Sequence, residues 1–275
     1  MKSIDTDQLL GCTNSRQTKE QLHRIFAWRK QVLAKNEFIK DESPFLLELR
    51  GLSFNFKVSS SFSAIETFHE IFVQNGHCKI PQFLPQEAET VLDIGANQGF
   101  YAIKMAVGNP GCCIYCFEPN PIEFEVLQQN LSSNALENRV KAEELAVSGS
   151  RGEIEMEIIP EIGPIGGQSI RTPFRKWLKD EFIKNIRVQS ICLEDVLTRN
   201  NLAHVDILKL DVEGFELDVL RNFQSFDVID KLVVEYHSDS GREELLELMK
   251  ANGFELACID AEPGDYYGDL YFIRK

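Results

Sequence analysis

An open, mostly parallel α/β sheet with helices on both faces is the fold the sequence predicts, and three observations predict it. After Pro85 an apolar strand, Thr90 to Ile94, runs into a glycine-bearing turn and then a helix. The strand and helix pattern recurs to the carboxyl end, as expected of a doubly wound sheet. The 275 residues are 43% hydrophobic and 26% charged, the balance of an ordinary globular chain and not of a disordered or fibrous one. A chain of this length buries a core without metal or disulfide staples.

The strands read as Thr90 to Ile94, Cys113 to Phe117, Val140 to Ala146, Val205 to Leu210, Lys231 to Tyr236, Glu255 to Asp260 and Leu270 to Arg274. Between the third and fourth lies an excursion, Gly152 to Leu197. It holds a strand-like Glu153 to Ile159, a loop Gly163-Pro164-Ile165-Gly166-Gly167-Gln168-Ser169 and a strand near Val188 to Cys192. Substrate specificity can be built there, and the glycine-rich loop is a candidate lid. Ahead of the core, Leu22, Ile25, Phe26, Val32 and Leu33 recur at helical spacing between Thr18 and Phe38. Segments Phe45 to Val58 and Ala64 to Val73 are read as a short-stranded hairpin with its turn at Gly51. Residues 1–84 are therefore expected to form a helix and strand accessory packed on a core of residues 85–275.

The formal charge of −14 disfavours a nucleic-acid partner, because phosphate backbones are held by clustered Lys and Arg. Seven cysteines without a repeating framework, and a polar start from Met1 to Gln8, lead us to expect a reducing cytoplasm. No apolar run approaches the roughly 20 residues of a membrane span. Cys112, Cys113 and Cys116 belong to or precede a buried strand, where cysteine packs as a small hydrophobe. A single Cys-x-x-Cys is a weak zinc or redox signal.

The sharpest chemical signal is Asp93-Ile94-Gly95-Ala96-Asn97-Gln98-Gly99-Phe100, an apolar strand entering a turn of small residues that opens a helix. Gly95 and Gly99 let backbone approach a ligand, and Asp93 sets a carboxylate at the strand's carboxyl end. The spacing Asp-x-Gly-x-x-x-Gly is not the Gly-x-Gly-x-x-Gly of dinucleotide enzymes. The next strand ends in Glu118-Pro119, where a carboxylate can accept both hydrogen bonds of a ribose diol. Together they imply an adenosine ligand.

A second stretch, Val205 to Glu216, places Lys209 and Asp211 on one face of a strand, since side chains alternate. Buried charge needs a partner, and Asp93 and Glu235 are the candidates for Lys209. Asp211 and Glu213, nearer the edge where such sheets bind ligands, are candidates to orient a substrate. Glu235 and His237 share a face of the next strand, and His237 emerges at its end. Imidazole titrates near neutrality and could take a proton there.

These residues resemble the FkbM family of methyltransferases. The resemblance covers about Ile65 to Lys275 and rests on Asp93 to Gly99, Phe117-Glu118-Pro119, Lys209-Leu210-Asp211-Val212-Glu213-Gly214-Phe215-Glu216 and Glu235-Tyr236-His237. It implies a Rossmann-like class I methyltransferase sheet with an antiparallel last strand, S-adenosylmethionine as donor, and O-methylation of a sugar, polyketide or related metabolite. The resemblance places Asp93, Gly95, Ala96, Asn97, Gly99 and Phe100 near the donor's amino acid end, Glu118 with Pro119 at the ribose, and Ala146 near the adenine. Gln98 stands where many relatives carry an apolar residue, a candidate contact to donor or substrate. The expected partner is a small hydroxylated acceptor; the oligomeric state is not encoded in any motif. Asp211 and Glu213 could hold a divalent cation such as Mg, although aligned carboxylates more often hydrogen-bond to ligands, and no metal is assigned. The loop Asp265-Tyr266-Tyr267 is a candidate wall of the acceptor pocket. The alternatives are an NAD(P)- or nucleotide-dependent oxidoreductase and a catalytically silent S-adenosylmethionine-binding protein.

Overall fold

Alternation of buried side chains along the strands sets the architecture. A computed structural model describes residues 6–35, 44–57, 61–85, 90–159, 163–164, 184–261 and 266–275. In chain order it contains α1 (Thr6–Gly11), α2 (Arg16–Lys35), β1 (Pro44–Leu49), β2 (Leu52–Lys57), α3 (Ser61–Phe68), a π-helical turn (His69–Val73) and a 3-10 turn (Pro81–Phe83). There follow β3 (Thr90–Ile94), α4 (Phe100–Gly108), β4 (Cys113–Phe117), α5 (Pro121–Ser133), β5 (Val140–Glu143), β6 (Ala146–Val147), β7 (Gly152–Ile159), β8 (Gly163–Pro164) and β9 (Lys184–Ile191). The chain ends with α6 (Leu193–Asn200), β10 (Val205–Leu210), α7 (Glu216–Arg221), β11 (Ile229–Tyr236), α8 (Asp239–Ala251), β12 (Phe254–Asp260) and β13 (Gly268–Arg274).

The main sheet has seven strands in the order β12-β13-β11-β10-β3-β4-β5. Strands β11, β10, β3, β4 and β5 pair in parallel, and β13 pairs antiparallel with both β11 and β12. This is the Rossmann-like methyltransferase sheet with its last strand reversed. Val91, Ile114, Cys116, Ile207, Val233 and Tyr271 bury one face, together with α4, α5 and the N-terminal elements. Leu92, Ile94, Phe117, Leu208, Leu232 and Phe272 bury the other, against α6, α7 and α8. Both faces are apolar because parallel strands carry crossover helices on both sides. The two-residue period therefore puts Asp93, Lys209, Glu235 and Asp269 on the face that α4 covers, near the carboxyl ends of the parallel strands.

The N-terminal elements share that first core. Leu9, Leu22, Phe54, Phe68 and Phe72 lie in the same buried cluster as Phe100 and Leu127. Ala64 to Val73 is helical and not extended: Ala64, Ile65, Phe68, Ile71 and Phe72 are buried at a helical period. The hairpin is β1 with β2 alone, turning at Arg50 and Gly51 with φ of 53° and 80°. The strand expected over Val140 to Ala146 also divides. Its first part stays in the main sheet, whereas Ala146 and Val147 leave it to pair in parallel with β9 in a second sheet of order β6-β9-β7-β8. That second sheet is the excursion; the remainder of the expected lid, residues 165–169, lies outside the described residues, as does Asp265. Cys112 and Cys116 are buried in the first cluster, and burial pushes the Cys116 thiol well above its ordinary pKa. No helix of the described residues is long and apolar enough to cross a membrane.

Candidate active site

The turn after β3 is fixed from both sides. The amides of Gly95 and Ala96 donate to the Phe117 carbonyl at 2.9 and 3.1 Å, and the Asp211 amide donates to the Ile94 carbonyl at 3.1 Å. Gly95 has φ +79°, and a Cβ there would lie 1.7 Å from the Asp211 carbonyl oxygen. Gly99, at φ +84°, would press a Cβ to 2.4 Å from Leu127 Cδ1 on α5. Both glycines are thus required by close crossing of strand and helix, a cause separate from approach to a ligand.

Glu118, at the end of β4, is 3% exposed. Its Oε2 accepts the Asn97 amide and its Oε1 the Asn120 amide, each at 2.8 Å. Asn97 takes a left-handed φ of 49°, and its own Oδ1 accepts the Gln98 amide at 2.7 Å. Burial pushes the Glu118 pKa up to about 8, because two amide dipoles only partly replace lost water. Pro119 precedes the N-cap Asn120 of α5, while buried Phe100 starts α4. Gln98 is buried within the protein beside Glu123 of α5, whose pKa burial lifts to about 7 against the pull of the Gln98 amide. Ala146 is buried in β6.

Lys209 braces the turn from below. Its Nζ donates to the Gly95 carbonyl at 2.6 Å and lies 3.3 Å from both Asp93 Oδ1 and Asp211 Oδ2. Strand register requires this, since Lys209 pairs with Asp93 across β10 and β3. Burial alone would lower the Lys209 pKa, but Asp211 and Asp93 outweigh it and raise it. Asp93 is fully buried, and that burial raises its pKa against the opposing Lys209 charge. Glu235, the other expected partner, acts on Lys209 at longer range.

Next to this brace is an acid-rich edge. Burial raises Glu235 well above the ordinary carboxyl range; Asp211, partly buried, is held low by Lys209 and then His77. The turn beyond Asp211 has Glu213 at φ 56° and Gly214 at φ 101°, and Glu216 Oε1 accepts the Val212 and Gly214 amides at 3.1 and 3.0 Å. His237 sits between these acids. Its Nδ1 is 3.3 Å from Glu216 Oε1, and its Nε2 is 3.4 Å from Glu213 Oε2 and 3.9 Å from Glu235 Oε2. Burial pulls its pKa down, but Glu213 and Glu216 raise it further, to about 12. Both ring nitrogens face carboxylates, which favours the protonated ring over the proton-accepting imidazole expected at this position. Asp211, Glu235 and His237 present ligand atoms within 4.8 Å of one another, but Lys209 already supplies the positive charge beside Asp211.

The same edge contains a pair that no motif signals. His77, from the loop after the π-helical turn, places Nδ1 3.1 Å from Asp269 Oδ2 and 3.2 Å from Asp269 Oδ1; both side chains are nearly buried. Asp269 also accepts the Tyr271 hydroxyl at 3.2 Å and the His77 amide at 3.3 Å. Burial would lower the His77 pKa, and Asp269 raises it more. The two residues are 192 positions apart, so neither spacing nor periodicity could pair them. Glu216 was visible as the last residue of the Lys209 motif, but its two backbone contacts become apparent only once the turn is folded.

Residues 93–256 match the model of the methyltransferase FkbM domain, more than half of the chain. Methyltransferase sdnD of Sordaria araneosa is 29% identical over 247 residues, which cover 80% of this chain and 92% of that protein. The 31-O-demethyl-FK506 methyltransferase FkbM of Streptomyces tacrolimicus is 27% identical over 194 residues, 62% of this chain and 74% of that protein. Hexuronic acid methyltransferase AglP of Haloferax volcanii is 25% identical over 211 residues, 75% of this chain and 80% of that protein.

Proposed function

The chain belongs to the FkbM methyltransferase family, and from that premise we propose that it transfers a methyl group from S-adenosylmethionine to a hydroxyl of a sugar, polyketide or related small metabolite. The observation that carries the donor assignment is a pair of buried carboxylates at the ends of the adjacent strands β3 and β4. Each Glu118 oxygen holds one backbone amide and keeps a second lone pair for a ribose hydroxyl. Asp93 Oδ2 is buried without a hydrogen-bond partner among the described residues, a place for a cationic group on the donor. These residues fit the group. Gly95, Ala96, Asn97, Gly99 and Phe100 would frame its amino acid end, Glu118 and Pro119 its ribose, and Ala146 its adenine.

When bound, the donor supplies a methyl group already activated by the sulfonium charge. The protein's tasks are to align the acceptor, exclude water and accept a proton. Lys209 fixes the height of the Gly95 turn through its 2.6 Å bond to the carbonyl. Asp211 and Glu213 orient the acceptor hydroxyl from the end of β10. His237, held as a cation, fixes Glu213 and Glu216 and acts as a positioning residue. Oxygen as the accepting atom is supported by two relatives, one named for 31-O-demethyl-FK506 and one for a hexuronic acid.

The reading is tested by incubating purified protein and deuteromethyl S-adenosylmethionine with a small-molecule extract of the source cells. The expected result is a labelled methyl ether found by mass spectrometry. No calorimetric heat with S-adenosylmethionine, together with hydride transfer on adding NADH, would overturn it.

A further inference from the structure

We propose that His77, oriented by Asp269, is the group that takes the acceptor's hydroxyl proton; this deepens the methyltransferase reading and rests on it. A proton acceptor needs one ring nitrogen held by an orienting carboxylate and the other open to substrate. His237 fails that requirement, because carboxylates face both of its nitrogens. His77 meets it. Asp269 approaches only Nδ1, at 3.1 Å, which places the ring proton there and the lone pair on Nε2. Nε2 has no hydrogen-bond partner among the described residues.

The position is built for a purpose other than packing. His77 takes φ +57° and Asn75 φ +60°, two left-handed non-glycine residues on either side of Gly76; backbone of this kind concentrates at functional sites. The loop is clamped at several points. Arg50 Nη1 donates to the Phe72 carbonyl at 2.7 Å, Lys104 Nζ to the Ile71 carbonyl at 2.6 Å, and the Gly76 amide to the Glu70 carbonyl at 2.8 Å. These bonds carry an imidazole from the N-terminal accessory to the reacting edge of the sheet. Its electrostatic neighbours there are Asp269 on β13, Lys209 and Asp211 at β10, and Asp93 on β3, with the Tyr101 ring of α4 edge-on at 5.8 Å. Asp93 and Asp211 are the residues assigned above to donor and acceptor, and the charges of both act on the ring.

The step balances. The acceptor oxygen forms a bond to the methyl carbon as the sulfur–methyl bond breaks and its electron pair returns to sulfur. The hydroxyl proton passes to Nε2, the products are a methyl ether and S-adenosylhomocysteine, and the imidazolium is stabilised by Asp269.

His77→Asn is the diagnostic variant. Asparagine tolerates a left-handed φ, and its amide can replace Nδ1–H toward Asp269, so the clamp survives while Nε2 is lost. With tritiated-methyl S-adenosylmethionine and the small-molecule extract, turnover is expected to fall about 100- to 10,000-fold. Calorimetric affinity for S-adenosylmethionine should stay within about threefold, as expected of a group that acts on the acceptor's proton and not on the donor. Independently of turnover, the His77 ring resonances followed by NMR should titrate at lower pH in Asp269→Asn than in wild type. Turnover of His77→Asn within about threefold of wild type, a matched loss of donor affinity, or an unmoved His77 titration would overturn the assignment. A wild-type protein that binds no S-adenosylmethionine overturns the parent reading instead.

Discussion

The edge proposed for the donor and the edge proposed for the acceptor use the same residue types but satisfy them differently. At the donor edge the Glu118 carboxylate is held by backbone amides of Asn97 and Asn120. Across the sheet, Asp211 faces the Lys209 ammonium and Asp269 faces the His77 ring. Amide dipoles only partly replace water, and the Glu118 pKa rises to about 8. Full charges do more than replace it, and Asp211 and Asp269 are held below the ordinary carboxyl range despite burial. Burial among amides thus favours a protonated Glu118, whereas Asp211 and Asp269 stand in paired charges.

The largest expected effect comes from breaking the seam between them. Gly95→Ala places a Cβ 1.7 Å from the Asp211 carbonyl at φ +79°, and strain plus overpacking should cost roughly 3 kcal/mol in urea denaturation. Gly51 is the control, with φ +80° but nothing within 4 Å of its Cβ. Gly51→Ala should cost only about 1 kcal/mol. Equal losses at the two positions would mean that the edges are not locked together at Gly95.

Glu118→Gln tests the cradle itself. It replaces one of the two oxygens that accept the Asn97 and Asn120 amides with a donor, so S-adenosylmethionine affinity should fall about 10- to 100-fold with a loss of about 1 to 3 kcal/mol in stability. A smaller effect follows from pH. Below about 8 the free protein carries Glu118 protonated, and donor binding that needs the carboxylate must release that proton. Affinity should therefore rise with pH by up to about tenfold per unit and level off above about 8. Calorimetry in buffers of different ionisation enthalpy should detect the released proton, and Glu118→Gln should abolish the dependence.

The contrast also explains what the sequence made legible. Asp93, the Gly95 to Gly99 turn and Glu118 lie on consecutive strand-turn-helix units, so local pattern found the elements and brought the candidate residues together. The acceptor edge is assembled from chain-distant pieces: His77 precedes the core, Asp269 opens the last strand, and Glu216 is a turn organiser as well as a partner of His237. Spacing identified Asp211, Glu213 and His237, but the number of acids around His237, which decides its protonation, depends on tertiary packing. Ala64 to Val73 was misjudged as extended for a simpler reason. Its apolar residues fit a helical period, but the run Ala-Ile-Glu-Thr-Phe-His-Glu-Ile-Phe-Val is rich in β-branched and aromatic side chains, and tertiary burial overrode that preference.

The smallest expected effect isolates how the N-terminal hairpin reaches the donor edge. Asn130 on α5 donates its amide to the Gln98 carbonyl at 3.0 Å, and its Oδ1 accepts the Asn55 amide of β2 at 2.8 Å. One side chain therefore ties the accessory to the turn that frames the donor. Asn130→Asp keeps the acceptor for Asn55 and loses the donor to Gln98, at a cost of about 1 kcal/mol in the tie. If the hairpin positions the turn, S-adenosylmethionine affinity should weaken about fivefold while His77-dependent chemistry on bound donor is unchanged, because the substitution leaves in place the Arg50 and Lys104 bonds that hold the backbone ahead of His77. A loss in single-turnover rate without a loss of affinity would show instead that the accessory acts on the acceptor edge alone, and the two edges would then be independent in construction as well as in charge.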